Sequence, residues 1–191
     1  MTIASTQIKG LTLEEFLQQD YIDESPAYEY IDNQIIRKPM PKTHHSRIQL
    51  KLASLIESAT LKGNKVMAFT ELRCTFCDRS IVPDILVVET EKIPLDEDGE
   101  LENNAIFFSP IWTIEILSPS QTPTRVIDNI LFCLENGPQL GWLIDSQEKI
   151  IMVFQPEKPL KIYRQDETLP IIENIDLSIT PNNIFSWLKI K

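Results

Sequence analysis

The spacing of apolar positions along the chain changes period several times, and each change marks an element. Leu13, Phe16 and Leu17 follow helical spacing behind Thr12, which pairs with Glu15 as a capping box. A polar loop over 21–27 ends in Ser25-Pro26. The period then shortens: Tyr28-Glu29-Tyr30-Ile31 and Gln34-Ile35-Ile36-Arg37 flank Asp32-Asn33, the pattern of a hairpin, and Pro39 and Pro41 close it. From Thr43 to about Lys62 the spacing of Ile48, Leu52, Leu55, Ile56 and Ala59 predicts a helix, stopped by Gly63-Asn64. Lys65 to Leu72 reads as a strand that runs into less regular residues as far as 77.

Two runs, 81–88 and 111–118, are short, apolar, rich in β-branched residues and bounded by polar segments or Pro, so both read as buried strands. A polar loop over 89–104 separates them. Thr122 or Thr124 caps a helix to about Glu135 through Val126, Ile127, Ile130, Leu131 and Leu134, and Asn136-Gly137-Pro138 ends it. Residues 140–145 and 149–154 form two further strands around Ser146-Gln147-Glu148, and 161–164 extends the meander. Thr180-Pro181 opens a last helix through Leu188, with Pro in the favoured first turn. No internal repeat, linker or low-complexity segment interrupts this order. Interleaved helices and strands predict one α/β domain over 1–191, a mixed central sheet flanked by helices, with 1–10 as a loose tail.

Composition narrows the class. A chain of 191 residues, 42% hydrophobic and 24% charged, can bury a sizeable core. No apolar stretch is long enough to span a bilayer, and Met1 to Gly10 lacks the layout of a secretory signal, so the expectation is a cytoplasmic protein without a membrane partner. Cys74, Cys77 and Cys133 make no disulfide framework, in keeping with a reducing compartment. The net charge of −10 argues against binding nucleic acid over the whole surface, but leaves room for a local cleft or for metal ions that offset acidic groups.

The chemistry lies in the two buried runs. Asp84 interrupts Ile81-Val82-Pro83-Asp84-Ile85-Leu86-Val87-Val88, and Glu115 interrupts Ile111-Trp112-Thr113-Ile114-Glu115-Ile116-Leu117-Ser118. A carboxylate inside such a run is costly unless it is paired, hydrogen-bonded or bound to a metal. If the strands are neighbours, both side chains can reach one hard cation such as Mg²⁺. Pro83 removes a ladder donor and suggests a bulge or edge that re-aims Asp84. The competing reading is an ion-pair network, with Asp84 ending a strand pair and Glu115 paired to an Arg. Glu29 is either a third acid at this site or a surface charge paired with Arg37, and Glu71 is a weaker candidate for the same cleft. His45, near a helix start, is either structural or a phosphate contact or base. Cys74-Thr75-Phe76-Cys77 has zinc-like spacing but no second Cys pair. Trp112, Trp142 and Trp187 sit in apolar settings and read as core.

Pro83-Asp84 followed by Glu115-Ile116-Leu117-Ser118-Pro119-Ser120 resembles the PD-(D/E)XK nuclease superfamily, and more narrowly the Uma-two family of restriction-endonuclease-like domains. Tyr28-Glu29-Tyr30-Ile31-Asp32-Asn33 resembles that family's hairpin. Pro41, His45 and Ile48 match its entry to a helix, and Gly137 through Trp142-Leu143-Ile144-Asp145 matches its later strand. The resemblance covers about residues 11 to 155. It implies a restriction-endonuclease-like fold and Mg²⁺- or Mn²⁺-dependent cleavage of nucleic acid, DNA first. Asp84, Glu115 and Glu29 would hold metal, and His45 and Ser118 would face substrate. A homodimer fits the superfamily. The motif's lysine is missing: Leu117 stands two residues after the Glu, and the narrower family's helix lysine falls at Asn129. Arg125, one turn away from Asn129, is the expected substitute for its charge. The alternative is a degenerate member that binds nucleic acid or another partner without cleaving.

Overall fold

The computed structural model describes residues 8–61, 63, 65–119 and 121–190. The expected tail therefore lies outside the described residues up to Gln7, as do Lys62, Asn64 and Ser120. Ile8–Lys9 (β1) is not loose: it pairs with the hairpin, Ile8 opposite Ile35.

The α/β class is as expected, but the strands form two sheets. The larger is the mixed central sheet. It contains Val66–Thr70 (β4), Ile85–Glu89 (β7), Trp112–Ile116 (β8), Leu140–Asp145 (β9), Ile150–Phe154 (β10) and Lys161–Arg164 (β11), in the order β11-β10-β9-β8-β7-β4. All neighbours are antiparallel except β8 and β9, which are joined by a crossover through the helix Pro123–Glu135 (α3). The smaller sheet is wholly antiparallel. It sets β1 beside Gln34–Arg37 (β3), Tyr28–Ile31 (β2), Arg79–Ile81 (β6) and Cys74–Phe76 (β5). Leu13–Leu17 (α1), capped by Thr12 and Glu15, packs Phe16 onto it beside Tyr30.

Side-chain alternation assigns the layers. Trp112, Ile114 and Ile116 of β8, with Trp142 and Ile144 of β9, face Ile48, Leu52 and Ile56 of the helix Thr43–Ser58 (α2) and Ile184 of Pro181–Ser186 (α4). The two tryptophans meet edge to face, with centroids 4.7 Å apart. On the opposite face, Leu143 and Phe154 pack on Val126 and Ile130 of α3. Leu86 and Val88 pack there on Ile31, Ile36 and Ile81 of the small sheet. Gly141 lets α3 approach closely, because a Cβ there would strike Ile130 Cγ2.

Three elements depart from expectation. Helix α2 ends at Ser58 rather than near Lys62, with Ala59 as its C-cap. The irregular stretch after β4 holds β5, which turns through Cys77 (φ 52°) into β6. The apolar run 81–88 is not one strand. It leaves the small sheet at Ile81, crosses through Val82-Pro83-Asp84 and enters the large sheet at Ile85. The Asp32-Asn33 turn is as expected, with φ of 51° and 59°, the left-handed pair that a type I′ hairpin needs.

Candidate active site

The crossing at residues 82–84 places Asp84 where the two sheets meet. Strands β7 and β8 pair Leu86 with Thr113 and Ile85 with Ile114, so one step further along the register sets Asp84 opposite Glu115. Alternation then turns both carboxylates to the face covered by the small sheet. Asp84 is 2% exposed and Glu115 4%. Asp84 Oδ2 accepts from the Ile116 backbone N–H at 2.7 Å, and the Asp84 carbonyl accepts from Gln49 Nε2 at 2.9 Å.

The counter-charge is Lys38, which the sequence reading passed over. It follows β3 directly, and its side chain reaches inward from the small sheet. Nζ lies 2.8 Å from Asp84 Oδ1 and 3.9 Å from Glu115 Oε2, and it also donates to the Val82 carbonyl. No arginine pairs with Glu115 among the described residues. Arg125, the expected substitute, is exposed at the start of α3 and makes no contact with either carboxylate there. Asn129 is buried on α3 with Oδ1 unpaired, so it brings no positive charge.

Glu29 is 6% exposed, which removes the surface-charge reading, and Oε1 accepts from the Val82 N–H at 2.9 Å. Arg37 turns instead to the Pro26 carbonyl and the Tyr28 ring. His45, in the first turn of α2, is buried between Ser118 and Asp84. Nδ1 lies 3.4 Å from Ser118 Oγ, and Nε2 lies 3.5 Å from Asp84 Oδ1, long for a full hydrogen bond. Ser118 is itself buried, its N–H donating to Gln121.

These contacts drive the carboxyl groups apart in acidity. Burial alone would raise Asp84, but the Lys38 ammonium and the His45 ring outweigh it and hold this carboxyl well below the usual range. Burial dominates at Glu115 and pushes it well up against the pull of Lys38, with the Asp84 charge adding to the rise. Burial also raises Glu29. Lys38 is desolvated too, yet Asp84, Glu115 and Glu29 together hold its ammonium charged above its ordinary value. Two carboxyl groups on one site thus separate into one ionised and one proton-bearing group, as like charges at short range require.

A cleft of about 440 Å³ opens on this centre, lined in part by Lys38, His45, Asp84, Glu71 and Gln121. Glu115 lies behind Asp84 rather than on its wall. A larger cavity of about 570 Å³, beside Tyr30 and Asn33, includes neither carboxylate. Among the described residues no group of three or more His, Cys, Asp or Glu side chains is arranged to hold a metal. The donor set at Asp84 and Glu115 nevertheless fits a hard divalent cation. Both donors are oxygens, and the ammonium of Lys38 already occupies a cation's position between them. A cation with water or phosphate oxygens as its remaining ligands needs only one or two carboxylates. Cys74 is buried and Cys77 exposed beside Asn136, which offers no zinc site.

Comparison with known proteins agrees with this geometry. The family model described as "Uma2: Putative restriction endonuclease" matches residues 13–182. A crystal structure titled as a putative nuclease belonging to DUF820 from Anabaena variabilis ATCC 29413 superposes with a TM-score of 0.88 at 44% identity, covering 94% of this chain and 100% of that one. No match was found among curated proteins.

Proposed function

The chain belongs to the Uma2 family of restriction-endonuclease-like proteins, and from that premise we propose that it hydrolyses phosphodiester bonds in DNA with Mg²⁺ or Mn²⁺. The observation that carries this reading is Lys38 Nζ at 2.8 Å from Asp84 and 3.9 Å from Glu115. It supplies the positive charge whose absence at Leu117 and Asn129 was the ground for a degenerate, binding-only protein.

Asp84 and Glu115 hold the cation, and Glu29 completes the acidic set from behind, anchored by the Val82 N–H. The bound cation supplies Lewis acidity toward a phosphoryl oxygen and toward water. The Ile116 N–H fixes the Asp84 carboxylate, so little reorganisation is needed when charge develops. Lys38 moves from the carboxylates toward the phosphate and stabilises that charge. His45 and Ser118 line the approach and orient Asp84 from the α2 side. A homodimer in the cytoplasm completes the reading. In its favour, no helix among the described residues is long and apolar enough to cross a membrane, and the three cysteines are unpaired.

The test is Mn²⁺-dependent cleavage of circular DNA, single-stranded and supercoiled, by the wild type beside Asp84→Ala. Cleavage that disappears in the variant is the expected result. Tight DNA binding without cleavage, indifferent to Asp84→Ala, would return the protein to the binding-only class.

A further inference from the structure

The depth, size and charge of the cleft bear on the form of substrate it admits. The scissile phosphodiester has to reach groups that are 2% and 4% exposed, at the bottom of a space of about 440 Å³. That volume belongs to small-ligand pockets, which run from about 300 to 1,000 Å³. A duplex is a stiff rod with a persistence length of about 150 base pairs, and its paired strand flanks every phosphate. It cannot lower one phosphodiester into such a pit.

The rim has the wrong charge for a duplex as well. Asp23, Glu24 and Glu71 are exposed at the mouth, on a chain of net charge −10. Besides His45, the cations on the wall are Lys38 and Arg73, and both are engaged. Arg73 gives its donors to Asp23, Ser80 and the carbonyls of Ile22 and Tyr28. Proteins that grip duplex DNA neutralise a row of phosphates, commonly about 6–10, and no basic track borders this cleft to do so. What the mouth offers instead is the side-chain amides of Asn103, Asn104 and Gln121. Amides pair with base edges, which are open only in an unpaired nucleotide.

We propose that the site takes an unpaired DNA strand, threading one nucleotide into the cleft at the point of cleavage, and does not take intact duplex. The inference rests on the nuclease reading above, but its test separates the two. A dye-labelled 20-nucleotide strand and its perfect duplex are titrated with wild-type protein in Ca²⁺ by fluorescence anisotropy, then incubated with it in Mn²⁺. Binding and cleavage of the single strand at least tenfold better than the duplex are expected. Duplex bound as tightly, or neither bound, overturns the inference whatever is cleaved. Duplex cut as fast as the single strand overturns it and leaves the nuclease reading standing. Single-strand preference in binding with no cleavage in Mn²⁺ supports the cleft argument and removes the nuclease reading. Asn103→Trp places an indole at the mouth on an exposed position and is expected to weaken single-strand binding at least fivefold with unchanged circular dichroism. Unchanged binding by that variant also counts against the inference.

Discussion

Replacing Lys38 by methionine keeps the length of the side chain and removes its charge, which separates a structural role from a chemical one. At an effective dielectric of about 20, the Lys38–Asp84 contact at 2.8 Å is an attraction of about 6 kcal/mol, and the Lys38–Glu115 contact at 3.9 Å one of about 4 kcal/mol. Desolvation cancels much of this, and breaking a buried pair typically costs about 3–5 kcal/mol. Lys38→Met is therefore expected to lower unfolding stability in urea by about 3–5 kcal/mol at pH 7 in EDTA. The pH dependence has a definite sign. Lys38 is raised, so its contribution is present below its ordinary value of about 10.4 and is lost as pH climbs through the folded value. Asp84 is lowered, so its contribution is present above about 3.9 and is lost as pH falls through the folded value. Glu115 is raised and works the other way, favouring the fold below about 4.3 and losing that contribution as pH rises through its folded value. The deficit of Lys38→Met thus shrinks as pH falls and Glu115 takes up its proton. The same variant frees the carboxylates for metal. By calorimetry it is expected to bind Mn²⁺ at least tenfold tighter than wild type, while cleavage falls by about 10²–10³, the effect of losing one charge-stabilising donor. Wild-type cleavage by Lys38→Met, or Mn²⁺ binding no tighter than wild type, would refute the role given to this side chain.

Glu115→Gln removes the carboxyl that burial holds protonated; in EDTA at pH 8 it is expected to raise urea stability by about 0.5–2 kcal/mol while abolishing Mn²⁺ binding by calorimetry. A loss of stability would show that the raised acidity of Glu115 was misread. Arg125→Ala is expected to leave Mn²⁺-dependent cleavage within twofold of wild type and stability within about 0.5 kcal/mol, because the side chain is exposed and away from the carboxylates. A tenfold loss of cleavage would restore Arg125 as the source of charge. Gly141→Ala drives a methyl into Ile130 Cγ2 and is expected to lower stability by about 1–3 kcal/mol, read as a lower Tm; an unchanged Tm would mean that α3 shifts freely on β9.

Local chemistry made much of the fold legible. Thr12 with Glu15 and Thr180-Pro181 mark helix starts because their caps are satisfied within one turn. Asp32-Asn33 marks a hairpin because few residues tolerate two left-handed conformations in a row. The second sheet was hidden for the same reason in reverse. β5 and β6 are three residues each, Arg79 and Ser80 are polar yet buried, and the pairing that joins β6 to the hairpin, Tyr30 with Ser80, is distant in sequence. The run 81–88 reads as one strand because Val82 and Pro83 are apolar, and apolarity does not distinguish a strand from a buried crossing between two sheets.

The acids of the site were legible and its base was not, and the asymmetry is physical. Asp84 and Glu115 stand out because their neighbours are apolar, so burial can be inferred from flanking residues alone. Lys38 lies between Arg37 and Pro39, where a long charged side chain looks ordinary. Its stem lets the ammonium travel inward from a partly exposed position, and the partner it finds is 46 residues away. Periodicity cannot register such a pair, but charge balance can. Two buried carboxylates and a third nearby cannot all be held without a cation. Leu117 and Asn129 cannot provide one, so the missing base has to come from outside the motif. The segment that brings Glu29 to the site is the hairpin, and its exit is Lys38-Pro39. A lysine held by proline at the end of a buried hairpin strand is then the first place to look, ahead of a helix face such as that of Arg125, which had to be assumed to turn inward.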